Sequence, residues 1–216
     1  MRNSAETREE LLRTAMTLIC QSSYHQVGVN EICRQAGVTK GAFYHHFQSK
    51  AELYYQATQL HWNETKPDFD RITSSDYTPL EQLQNLIDMI TESHQTEGAE
   101  DELAGCSIIS AGCLDGGSDD IVAQCSQEMA LEIQQHHGVM ICNLKSAGML
   151  NSDRDPDQIG RLLYQYIQGL VNYGRVFNDH SGMRSDLTEM ICSLLDLKPE
   201  YRYRLTSEPL AQASGL

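Results

Sequence analysis

Residues 40–47, Lys-Gly-Ala-Phe-Tyr-His-His-Phe, place an ammonium, a phenol and an imidazole within about two helical turns of one another. Phe43 and Phe47 are four apart and face inward on a helix, which leaves Lys40, Ala42, Tyr44 and His45 for the outside. Gly41 and Ala42 are small enough for a backbone to approach another polymer closely. Donors of this kind suit phosphate oxygens and base edges. Thr39 is a suitable N-cap for this helix. Upstream, Ile32, Cys33 and Ala36 mark one face of a short helix, Gly37 supplies a left-handed residue to end it, and Val38 can fill the angle between the two helices. Downstream, Ser49-Lys50-Ala51-Glu52 is a capping box, and the helix start it opens can meet a phosphate together with Lys50. Two short helices joined by a tight turn, with a third entered at once, form a helix-turn-helix, which sets one helix into the major groove of DNA.

Cysteine offers a second chemistry. The chain has seven, at 20, 33, 106, 113, 125, 142 and 192, an odd number with no C-x-x-C pair, so neither a disulfide framework nor a zinc ribbon is expected. Gly105-Cys106-Ser107 opens a run of small residues read as a helix, where a thiol near the N-terminus gains acidity and reacts with oxidants or electrophiles. The alternative is a small buried hydrophobe. Cys113, seven residues on, would stand about 10 Å away along a helix, too far for a disulfide. Cys125, Cys142 and Cys192 fall on apolar stripes, and Cys20 and Cys33 belong to the core of the first domain. His136 and His137 are adjacent and therefore on different faces, a poor metal pair even with His61 and His94 in the chain; no metal or cofactor is expected. A thiol enzyme using Cys106 and a histidine lacks a nucleophile–base pair of recognisable spacing, so no enzyme is expected. A helical module that binds only protein is a further alternative, against which the intact Lys40, Tyr44, His45 and Lys50 weigh.

The rest of the chain reads as helices, about nine in all, with no strand pattern. An amphipathic helix over about 5–22 carries Leu11, Leu12, Ala15, Met16, Leu18 and Ile19. A long helix runs from Lys50 to about Trp62 or beyond, kinked or ended at Pro67; it links the two domains, so motion of its far end moves the motif. Thr78 caps a helix starting at Pro79, with Leu80, Leu83, Leu86, Ile87 and Ile90 inward. A polar turn at 96–101 precedes a helix from Leu103 to Leu114, broken at Asp115-Gly116-Gly117-Ser118. The next helix runs from Ser118 to about Ala147, its stripe made of Ile121, Val122, Cys125, Met129, Ile133, Met140, Ile141 and Leu144. Asp155-Pro156 opens a helix to about Asn178, and a last one spans Met183 to Leu197. Gly169 and Gly174 each cost about 1 kcal/mol inside such a helix relative to Ala. Together with the broad apolar surface of the last two helices, they suggest a close helix–helix seam between two copies, a four-helix bundle built from about 156–178 and 183–197. From 199 the chain is polar and reads as a flexible tail.

With 216 residues the chain is long enough for one large or two small domains. No run of 18 apolar residues exists, so no membrane span is expected, and the first ten residues lack an apolar secretory core, so a cytoplasmic protein is expected. The net charge of −14 is unlike that of a DNA binder, but it is unevenly placed: residues 1–53 sum to +1 and residues 54–216 to −15. The repulsion between an acidic body and DNA is screened over about 10 Å at ordinary ionic strength, which spares a presented motif.

Ala36-Gly37-Val38-Thr39, Lys40-Gly41-Ala42-Phe43-Tyr44-His45-His46-Phe47 and Gln48-Ser49-Lys50-Ala51-Glu52-Leu53 closely resemble the signature of the TetR family of bacterial transcriptional regulators. The likeness covers about a quarter of the chain. It departs from the pattern at Val27-Gly28, where the family has Thr-Thr/Ser before the first motif helix, and at Ser23, where it has Gly. The resemblance implies an all-α fold, with a three-helix helix-turn-helix domain over 1–50 and a helical effector-binding and dimerisation domain over 51–198, ahead of a tail at 199–216. It implies that Lys40 and Ala42 face base edges, that Tyr44 and His45 contact phosphate or bases, and that Lys50 contacts phosphate, with Thr39 and Gly41 at the same surface. It further implies a homodimer that represses transcription from a palindromic double-stranded operator and is released by a small-molecule effector. The expected effector walls include Trp62, Met89, Cys106, Ile109, Cys113, Met129, Ile133, Tyr166 and Tyr173, with Leu86 and Ile90 beside them. The Gly-Cys pair at 105–106 resembles the electrophile-sensing, NemR-like branch, which gives an alternative in which modification of Cys106 is the switch.

Overall fold

A computed structural model describes residues 3–21, 24–92, 120–177 and 179–207. Among the described residues there are nine α-helices: α1 (Ser4–Gln21), α2 (Val29–Ala36), α3 (Lys40–His46), α4 (Lys50–Ile72), α5 (Pro79–Glu92), α6 (Asp120–Ser146), α7 (Pro156–Phe177), α8 (Met183–Leu194) and α9 (Pro199–Ser207). The all-α expectation holds, and among these residues no helix is long and apolar enough to cross a membrane. The expected helix at 103–114, the turns at 96–101 and 115–118, and Cys106, Ile109, Cys113 and His94 lie outside the described residues.

The described residues fall into two compact units. The first comprises residues up to 67 and 120–132; its motif part packs α1 against α2 and α3. Leu11, Leu12, Ala15 and Ile19 of α1 meet Ile32, Cys33 and Ala36 of α2, Phe43 of α3, and Phe47 in one buried core, closed by Leu53, Tyr54 and Ala57 of α4. At about 1.5–3 kcal/mol for each fully buried large apolar side chain, this core outweighs the poor intrinsic stability of helices only seven or eight residues long. In the same unit, Trp62 is buried and its Nε1 donates to Glu132 Oε2 at 2.8 Å.

The second unit comprises 68–92 and 133–207. Leu83, Leu86 and Ile87 of α5, Ile159, Leu163 and Ile167 of α7, and Leu187 and Ile191 of α8 supply its core. Buried Gln82 is satisfied on both sides: its Nε2 donates to Ser74 O at 2.8 Å, and its Oε1 accepts from Asn143 Nδ2 at 3.0 Å. Arg184 of α8 donates to Asp88 and to Thr91 Oγ1 of α5, so the α5–α8 contact carries an ion pair as well as apolar surface. A Cβ built on Gly160 would stand 3.1 Å from Gly138 N, which fixes a close crossing of α6 and α7.

Five expectations change. Pro67 lies inside α4, which continues to Ile72; Phe69 and Ile72 are buried beyond it, and the Asn63 carbonyl left without its N–H partner belongs to an exposed residue that water can reach. The tail expected from 199 is helical to Ser207, with Pro199 at the first helical position and Leu205 buried where α9 contacts α5 and α8. The last long helix stops at Leu194, and Leu197 instead bridges Leu150. Cys142, expected on the α6 stripe, is exposed, because Met140, Ile141 and Leu144 already fill the inward face. Of the two glycines expected at a seam between copies, Gly174 is crowded by His180 of its own chain, while Gly169 keeps open space above it; within the chain the tight helix crossing is at Gly160.

Candidate nucleic-acid interface

The α2–α3 geometry follows from three local devices. Gly37 is left-handed at φ 65°, ψ 37°, and its N–H donates to Arg34 O at 3.3 Å while the N–H of Val38 donates to Cys33 O at 2.9 Å. This is a Schellman turn, which ends α2 abruptly and redirects the chain. Two residues later Thr39, in extended conformation, accepts from Ala42 N at 3.1 Å and starts α3. Gly28 caps α2 without a side-chain hydrogen bond, as the departure from the family pattern implies.

Within α3, Phe43 is buried, and the Phe47 that follows the helix is buried with it. The opposite face carries exposed Lys40, Gly41 and His45, with Tyr44 at 59% exposure and Thr39 exposed just ahead of them; Ala42 is half-exposed. Tyr44 stands edge-on to Phe43, ring centroids 5.1 Å apart, so its phenol is braced while its hydroxyl faces out. Arg34 is held by Glu31 on its own helix, which leaves Lys40 as the cation that α3 itself presents. Burial pushes the Cys33 thiol up despite the nearby Lys40 ammonium, so this cysteine is inert packing.

Lys50 is placed differently from the other motif residues. It is half-buried, and its Nζ donates to Tyr24 O at 2.7 Å and Val27 O at 3.2 Å while lying 3.9 Å from the centroid of the Tyr24 ring. The capping box at the start of α4 is also shifted by one residue. Ser49 Oγ accepts from Glu52 N at 3.0 Å as expected, but the Glu52 carboxylate takes the N–H of Gln48, at 2.7 Å, rather than that of Ser49. The sequence pattern identified the box but not this partner, since both amides lie within reach of a glutamate three or four residues on.

The expected effector residues are spread over both units. Trp62 and Met129 are buried in the first; Met89, Ile133 and Tyr166 are half-buried in the second, where Tyr166 donates to Asp186 O at 3.2 Å. Tyr173 is exposed on α7, its ring 4.4 Å from that of Phe177. Among the described residues no cluster of His, Cys, Asp and Glu has the arrangement of a metal site.

Residues 11–57 match the family profile described as bacterial regulatory proteins, tetR family, a span that covers α2, α3 and the start of α4. The chain is 25% identical over 209 residues to the HTH-type transcriptional regulator AcrR of Shigella flexneri, covering 94% of this chain and 95% of that protein. Its fold matches the crystal structure of a regulatory protein TetR from Rhodobacter sphaeroides with a TM-score of 0.76 at 20% identity, over 88% of this chain and 98% of the other. A TetR-family transcriptional regulator from Agrobacterium tumefaciens matches with a TM-score of 0.79 at 16% identity, over 89% and 99%. With an exposed helix α3 and a capped turn that sets its angle, residues 11–57 carry the DNA-binding domain of the TetR family, and the chain is similar to transcriptional regulators of that family along nearly its whole length.

Proposed function

We propose that the chain is a homodimeric repressor that binds a palindromic DNA operator through α3 and leaves it when a small molecule occupies the helical body. The observation that carries this reading is the division of labour on α3: the phenylalanine side is sealed in the core, and Lys40, Tyr44 and His45 stand in solvent beside two residues small enough for close backbone approach. We assign 1–50 to DNA binding and 51–198 to effector binding and dimerisation. Dimerisation is supported by α7, whose outer face exposes Tyr173, Val176 and Phe177 next to open-faced Gly169. A C2 pair of such chains would offer two α3 helices, which is what two half-sites one helical turn (about 34–36 Å) apart require. The effector would act by favouring one of two states of the dimer, transmitted along α4, a single helix from Lys50 to Ile72. Such a protein works in the cytoplasm, where the chromosome is.

The test uses DNA recovered by in vitro selection from a random duplex library with the wild-type chain. Fluorescence anisotropy should show tight, salt-sensitive binding to the enriched duplex. Lys40→Ala combined with Tyr44→Ala should lower the affinity at least a hundredfold and leave the oligomeric state in sedimentation unchanged. A double variant that keeps wild-type affinity overturns the assignment of α3 as the reader.

A further inference from the structure

The geometry of Lys50 points to a positioning residue that sets the helix-turn-helix from behind, rather than a side chain spent on phosphate, and we propose that role for it. The inference rests on the DNA-binding reading above. Lys50 is the first residue of α4, where the helix dipole disfavours a cation. Its side chain turns back instead to the 24–27 turn, where its ammonium meets two backbone carbonyls and one aromatic face. The ring it meets is fixed: Tyr24 is buried and stands edge-on to Tyr54 of α4 at 5.3 Å. Carbonyls that close a turn and point at a single ammonium are oriented by it, and the charge strengthens both hydrogen bonds.

The carbonyls concerned lie directly ahead of α2. Val27 is buried and is followed by Gly28, the N-cap that offers no side-chain hydrogen bond. In most helices a Ser, Thr, Asp or Asn side chain defines where the first turn begins. Here the first turn of α2 is fixed from outside: Lys50 Nζ holds the Val27 carbonyl while the Gly28 carbonyl accepts from the N–H groups of Glu31 and Ile32, at 3.0 and 3.1 Å. From α2 the placement passes through the Gly37 turn to α3. Lys50 thus ties the start of α4 to the start of α2, and the reading helix lies between those two points along the chain.

Salt dependence separates this role from a phosphate contact. Each neutralised phosphate contributes about 0.9 to the slope of log K against log salt. Removing a phosphate-bound Lys50 from both subunits of a dimer would therefore lower the slope by about 1.8. Lys50→Met keeps the apolar stem and removes the ammonium. With the selected duplex, we expect its affinity to fall at least tenfold at every salt concentration with the slope unchanged, and backbone amides 24–33 of the DNA-free protein to exchange with deuterium at least tenfold faster. A slope reduced by about 1.8, or unchanged exchange in the free protein, overturns the proposal. Lys50→Arg is the second variant and decides the matter if the first fails to fold. A guanidinium keeps the charge and suits phosphate well, but its planar fork cannot reproduce an ammonium seated on two carbonyls above a ring. We expect weakened binding and faster exchange, whereas wild-type values for both refute the positioning role. If the wild-type chain enriches no duplex at all, the DNA-binding reading itself fails, a result distinct from any of these.

Discussion

A single backbone angle does much of the work in the reading head. Gly37 holds φ 65°, and a Cβ added there would meet nothing within 4 Å, so the penalty for any other residue is conformational and not steric crowding. Replacing it by alanine should cost about 1–2 kcal/mol, the cost of a left-handed L-residue. Gly37→Asn should recover part of this loss, because asparagine tolerates the left-handed region. Denaturant titration of the three proteins checks the order Gly, Asn, Ala; equal midpoints for Gly37→Ala and wild type would show that the turn has a different conformation. The residues around this glycine were legible from type and spacing alone: capping by Thr39 and the inward pair Phe43 and Phe47 are short-range consequences of sequence. The partners of Lys50 were not, because its acceptors are backbone carbonyls 23 and 26 residues earlier, and a carbonyl has no sequence signature.

At the scale of elements, the same distinction between local and tertiary causes explains which helices were foreseen. α3 begins and ends where its capping residues place it, and Thr78 caps α5 as expected, with Glu81 completing a box there: the Thr78 N–H donates to Glu81 Oε2 at 2.8 Å and Thr78 Oγ1 accepts from Glu81 N at 3.4 Å. α4 outlasts Pro67 and α9 exists because distant surfaces bury Phe69, Ile72 and Leu205, a tertiary gain that local propensity does not contain. The α6–α7 crossing is another case: Gly160 is unremarkable in sequence until Gly138 N is found 3.1 Å from where its Cβ would be. His137 sits beside that crossing, fully buried, and burial first, then the neighbouring His136, holds its imidazole well below its usual value, at about 4, against an opposing contact with the Gly160 backbone. The unfolded chain therefore takes up a proton near pH 6.5 that the folded chain refuses until about pH 4. Stability linked to this group is fully present above pH 6.5 and is lost as pH falls towards 4, by about 3 kcal/mol. His137→Gln should flatten this part of the stability–pH curve; an undiminished slope between pH 6.5 and 4 in that variant would place the acid sensitivity elsewhere.

For the molecule as a whole, the acidic balance of −15 over residues 54–216 must be reconciled with binding a polyanion. Two reading heads acting together would do so, since the attraction is concentrated at each α3 and doubled by symmetry, while the repulsion from the body is screened. On the proposed reading the dimer is thus a condition of function, and α7 is where it would be broken. Val176 is 77% exposed and Phe177 62%, with Tyr173 at 58%, whereas most other large apolar residues among the described ones are buried or half-buried. Val176→Glu combined with Phe177→Glu would bring four carboxylates to a two-fold seam without touching the core, so each chain should stay folded by circular dichroism and sediment as a monomer. Its affinity for the selected duplex should collapse even though α3 is intact. The residual binding should show about half the wild-type slope of log K against log salt, because only one set of phosphate contacts is made at a time. A variant that still sediments as a dimer would move the seam away from α7; a monomer that keeps the full slope and affinity would mean that one α3 is enough.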